Sequence, residues 1–96
     1  MKIFVSKHAM TRFRQRFSLV FHPSVMGRYE FVADKFSNAI DDTFRLKMSI
    51  GKYNALCVKS GAPVVVKTYN GFMKFVAIEV EKGLLIKTCY RCENIA

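Results

Sequence analysis

The chain has 96 residues, enough for one domain with one core and no second unit, and its 51% apolar and 14% aromatic composition excludes a disordered tail. Sixteen Lys and Arg against seven Asp and Glu leave a formal net charge of +9, which favours a polyanionic partner, nucleic acid foremost. No apolar run approaches bilayer length and residues 1–5 are too short for a signal-peptide core, so a membrane span is excluded and a cytoplasmic location expected.

The first element predicted is a helix over residues 6–17. Ser6 is a natural N-cap, because its hydroxyl can accept from a free backbone amide. At helical spacing Ala9, Met10, Phe13 and Phe17 gather on one face. His8, Arg12 and Arg16 stand four apart and form a stripe on the rim of that face. Arg14 flanks its far side. Residues 18–27, with Pro23, Ser24 and Gly27, read as a loop. A second helix is expected over residues 28–46, where Tyr29, Val32, Ala33, Phe36, Ile40 and Phe44 keep helical spacing.

Beyond Lys47 the period changes to two. Strands are expected over residues 53–59, 64–69, 72–81 and 84–90, with turns at 60–63, Asn70-Gly71 and Lys82-Gly83. Short links force antiparallel neighbours. The expected fold is α+β, with two N-terminal helices on one face of a four-stranded antiparallel meander.

The three cysteines, Cys57, Cys89 and Cys92, are an odd number in a chain without an export signal, so reduced thiols are expected. Cys89-Tyr-Arg-Cys92 has the spacing of a zinc half-site. Only Cys57, His8 and His22 remain as further soft ligands, so ordinary core cysteines are the preferred reading and no metal or cofactor is assigned.

Metal-free RNA cleavage needs proton-transfer groups and cations that hold charge on the phosphorane-like transition state. Imidazole suits the first role, and the guanidinium fork, which meets phosphate oxygens bidentately, suits the second. One helix presenting His8, Arg12 and Arg16 supplies one proton-transfer group and the cations, two of the three needs of base, acid and charge stabilisation. A further group can come from the last strand, where Thr88 and Tyr90 alternate with Lys87 and Cys89. A basic helix with one histidine is more often a solvated or phosphate-gripping face than a catalytic site. Tyr69, Phe72 and Phe75 invite a base-stacking reading, though half of each strand's apolar residues must be core.

The run Ser6-Lys-His8-Ala9-Met-Thr-Arg12-Phe-Arg-Gln-Arg16 resembles the HAxxRxxxR signature of a family of small bacterial and phage domains. That family is grouped with the barnase/EndoU/colicin/RelE superfamily, many of whose members are metal-independent ribonucleases and several of them toxins. The resemblance implies a RelE/barnase-like fold. It implies His8 as general acid or base, Arg12 and Arg16 as phosphate-stabilising groups and Thr88 as a positioning group. Lys7, Arg14 and Arg91 would steer the polyanion, Tyr90 is a weaker contact, and His22 is a loop histidine. Three functions follow as expectations: a toxin-type endoribonuclease, a non-catalytic nucleic-acid-binding accessory protein, and a small inhibitor using its basic face on an acidic host protein. The first brings a neutralising protein partner with it.

Overall fold

The computed structural model describes residues 2–42 and 63–92. The first strand, β1 (Lys2–Val5), leads directly into helix α1 (Lys7–Phe17). A 3-10 turn at Pro23–Val25 separates α1 from helix α2 (Tyr29–Ser37). The remaining strands are β2 (Ile40–Asp41), β3 (Val64–Tyr69), β4 (Met73–Val80) and β5 (Gly83–Arg91). The expected strand over 53–59 and the turn after it, up to residue 62, lie outside the described residues.

Together these make an α+β fold on a five-stranded sheet of order β1-β5-β4-β3-β2. It corrects the expected four-stranded antiparallel meander in two ways. β3, β4 and β5 form the antiparallel run that was expected, but β1 joins its edge in parallel with β5, Lys2 opposite Gly83 through Val5 opposite Ile86. A pairing across some 80 residues leaves no local trace in a four-residue segment, so the periodicity of β1 alone did not reveal its partner.

The second correction concerns α2, expected to reach residue 46. It ends at Ser37. Ser37 Oγ donates back to the Ala33 carbonyl at 3.0 Å, and the Asn38 side-chain amide donates to the Asp34 carbonyl at 2.9 Å. These side chains compete for the carbonyls of the last turn. The chain then extends, Ile40 opposite Thr68 and Asp41 opposite Lys67, and the Asp42 amide donates to the Val66 carbonyl at 2.8 Å. The sheet ladder outweighs the helical spacing of Ile40.

The other turns follow their sequence. Asn70 (φ 49°) and Gly71 (φ 74°) take the left-handed conformations of a hairpin turn, closed by the Phe72 amide to the Tyr69 carbonyl at 3.2 Å. Ser6 caps α1 as expected, its Oγ accepting from the Ala9 amide at 3.0 Å.

Apolar clusters lie on both faces of the sheet. On one face Ala9, Met10, Phe13 and Phe17 of α1, with Val32 and Phe36 of α2, pack on Met73, Phe75, Ala77, Leu84, Ile86 and Cys89. Fully burying a large apolar side chain contributes about 1.5–3 kcal/mol, so Met10, Phe13 and Phe17 together outweigh any polar contact that α1 makes. The other face holds Val64, Val66, Val76 and Ile78, joined by Val80, Leu85 and Tyr90.

Candidate nucleic-acid interface on the first helix

Between Val76 and Ala77 the register of β4 against β5 shifts, so that Val76 faces Thr88 while Ala77 faces Ile86. Lys87 is the extra residue, a β-bulge. Its surplus carbonyl meets Ser6: the Ser6 amide donates to the Ile86 carbonyl at 3.1 Å and Ser6 Oγ donates to the Lys87 carbonyl at 3.3 Å. One serine therefore starts α1 and closes the bulge where β1 ends.

The bulge decides which residues can meet α1. Regular alternation from Ile86 would place Thr88 and Tyr90 under the helix. With one residue inserted, Cys89 faces α1 instead, its Sγ 3.9 Å from the Ala9 carbonyl. Thr88 turns with its partner Val76 to the opposite face and is 8% exposed. Thr88 therefore faces away from α1, the helix that carries His8.

The rest of the stripe divides by position. Successive i, i+4 neighbours rotate by about 40° around a helix axis, so the three residues spread away from the buried face. Arg16 lies nearest the sheet. Its Nη1 donates to the Cys89 carbonyl at 2.7 Å, and its guanidinium stacks 4.9 Å from the centroid of the Tyr90 ring. Since Cys89 and Tyr90 point to opposite faces, Arg16 wraps round the edge that β5 presents beyond its pairing with β1. Arg12 is half-buried and donates to Gln15 Oε1 at 2.9 Å. His8 is exposed, as are Lys7 and Arg14.

Arg91 is exposed at the end of β5, opposite Met73. Neighbouring Phe72 packs on Phe17 at 6.1 Å between ring centroids, which places Arg91 at the same end of the molecule as the α1 C-terminus. Tyr90 is half-buried in the second cluster. Phe75 is fully buried, and Tyr69 and Phe72 pack against the first cluster, so base stacking on these rings is closed for Phe75. His22 is a capping residue of the loop, with Nδ1 accepting from the Ser24 amide at 3.1 Å.

Cys89 is a fully buried core residue, the ordinary role preferred for it from the sequence. Burial pushes its thiol up to about 12 from an ordinary 9.0, partly offset by nearby Arg16. Among the described residues no group of three His, Cys, Asp or Glu is arranged to hold a metal ion, and no helix is long and apolar enough to cross a membrane. A groove of about 340 Å³ lies between β1 and α2, lined by Ile3, Phe4, Val5, Tyr29, Glu30 and Ala33. It is apolar, its one charge is a carboxylate, and it offers nothing to a phosphate.

One signal was present in the sequence and carried more than the His8 stripe. The first 29 residues hold Lys2, Lys7, Arg12, Arg14, Arg16 and Arg28, and the first acid is Glu30. The remaining 67 residues share ten Lys and Arg with all seven acids. The positive charge is concentrated on the segment that contains α1, whose side away from the sheet carries Lys7, His8, Arg12 and Arg14 with no carboxylate among them.

No protein-family model, curated protein or solved structure matches the chain.

Proposed function

We propose that this protein binds nucleic acid through the phosphate backbone, using the exposed side of α1. The observation that carries the reading is the concentration of unopposed cations on a rigidly docked helix. Guanidinium and ammonium groups displayed without neighbouring carboxylates release condensed counterions from a polyanion, and that release is the main driving force of sequence-independent binding. Arg12 and Arg14 are the principal contacts in this reading, assisted by Lys7 and, at the far end, Arg91. Arg16 contributes less, because a phosphate that engages it competes with the Cys89 carbonyl. RNA is the favoured nucleic acid, given the resemblance at residues 6–16.

Fluorescence anisotropy with a labelled RNA, titrated from 50 to 300 mM salt, tests this. The expected result is a steep linear loss of log affinity with log salt, about 0.7 per phosphate engaged on a single strand. Arg12→Ala and Arg14→Ala each lower affinity and flatten the slope by about one phosphate. Lys82→Ala, in the turn between β4 and β5, serves as the control. Salt-independent binding, or an equal effect from Lys82→Ala, sinks the proposal.

A ribonuclease reading rests on the same resemblance, on the exposure of His8 beside Arg12, and on the antiparallel run β3–β4–β5 that a RelE/barnase-like fold requires. In it His8 is the proton-transfer group and Arg12 the phosphate-stabilising one. Thr88 has no part, since it faces away from α1. Cleavage of RNA in excess EDTA, lost in His8→Ala and in Arg12→Ala, is its expected signature; undiminished cleavage in both variants removes it.

A further inference from the structure

At the end of the cationic helix stand two exposed apolar side chains. Leu19 is 97% exposed and Val20 44%. A lone exposed leucine is ordinary on a protein surface; the setting of this pair is not. Ser18 keeps a right-handed helical conformation (φ −63°, ψ −24°). The Val20 and Phe21 amides both donate to the Phe17 carbonyl, at 3.0 and 3.3 Å. The chain thus continues for one more turn, and the eleven steps from His8 to Leu19 complete about three turns. Leu19 therefore falls in line with His8 and Arg12.

The turn is also firmly mounted. The Phe21 ring packs against Phe13, Phe17, Phe31 and Phe72, with centroids 5.1–6.3 Å apart. Leu19 and Val20 are held out from a fixed base, so little ordering entropy opposes their use in binding. The last turn of α1 before them carries Arg14 and Arg16, and Arg91 lies at the same end of the sheet.

We infer that the turn at residues 18–21 is an apolar wedge that contacts an unstacked base of the bound strand. This deepens the reading of α1 as a phosphate-binding helix and rests on it. Cations on the helix hold the backbone, and the apolar tip meets the face of a base that has left its stack. Aliphatic wedges enter base steps in many nucleic-acid complexes, and bases in loops and single strands are already free to be met. The wedge therefore gives preference for single strands and open loops over perfect duplex, in a protein whose other contacts are blind to base.

The test measures the affinity of wild type, Leu19→Ser and Arg14→Ala for three labelled RNAs: a 12-nucleotide single strand, a hairpin with an open loop, and a blunt duplex. Leu19→Ser is expected to weaken the first two by roughly threefold to tenfold and to leave the duplex unchanged. Arg14→Ala is expected to weaken all three alike. Because Leu19 is almost wholly exposed, its replacement does not threaten folding, which a matching thermal midpoint verifies. Unchanged affinity of Leu19→Ser for every RNA, or an equal loss on all three, overturns the wedge while leaving the phosphate-binding helix in place. If wild type binds none of the RNAs, both fall. Vesicles of phosphatidylglycerol and phosphatidylcholine form a last arm: binding to them that exceeds RNA binding and depends on Leu19 assigns the tip to an anionic lipid surface and overturns the base contact.

Discussion

Ser6 shares a single hydroxyl between two jobs, accepting from the Ala9 amide and donating to the Lys87 carbonyl. Ser6→Ala loses both, and is expected to cost about 1–2 kcal/mol, the upper part of the range for an N-cap, which for a domain of this size lowers the thermal midpoint by several degrees. Ser6→Thr restores most of it, because a hydroxyl remains to accept and to donate. A midpoint unchanged in Ser6→Ala refutes the double role. At Cys89 the folded thiol holds its proton to about 12, above its ordinary 9.0. Between those values the unfolded chain has released a proton that the folded one keeps, so stability falls as pH rises through that window and is fully present below it. Denaturant midpoints measured from pH 8 to 11 should decline for wild type and decline less for Cys89→Ala, each compared with its own value at pH 8. An identical decline in both chains contradicts the assignment of that sensitivity to Cys89.

At the scale of elements, the sequence was most legible where neighbours in the chain are neighbours in space. The α1 face of Ala9, Met10, Phe13 and Phe17 is buried as the spacing predicts, and the Asn70-Gly71 turn forms where its dipeptide calls for it. What could not be read depends on distant partners. β1 makes sense only beside β5, and the bulge that turns Thr88 away follows from the meeting of β4, β5 and Ser6. For the same reason the His8–Arg12–Arg16 stripe was legible as a pattern on a helix, whereas the engagement of Arg16 by the Cys89 carbonyl was not. The β1–β5 contact also explains one glycine. A Cβ on Gly83 would stand 2.0 Å from the Lys2 carbonyl oxygen, and backbone cannot give way as a flexible side chain can. Gly83→Ala should therefore displace β1, lowering the thermal midpoint and accelerating amide exchange at Leu84 and Ile86; wild-type exchange at both positions refutes the close approach.

For the whole molecule, the charge of +9 opposes compaction as well as attracting polyanions. A ligand that binds the folded state raises its stability by mass action. Inorganic polyphosphate should accordingly raise the thermal midpoint, more for wild type than for an Arg12→Ala/Arg14→Ala double variant, and the gain should shrink at 300 mM salt. A gain of equal size in both proteins places the polyanion elsewhere than on α1. The division of labour across the molecule follows the charge map. The acid-free N-terminal segment supplies the cationic helix, while the sheet holds it in place and contributes Arg91 at one end.

The inserted Lys87 has a consequence for anyone comparing this chain with another. It is a phase shift of one residue, after which inside and outside are counted from a new origin. An ungapped alignment of β5 with a regular strand matches Thr88 to a residue that lies beneath a helix, and so pairs side chains that occupy opposite faces. A single gap at Lys87 restores the correspondence on both sides of it. Distance along the chain from the first helix to the final strand is then a poor guide to which side chains meet, and parity past the gap is the quantity to preserve.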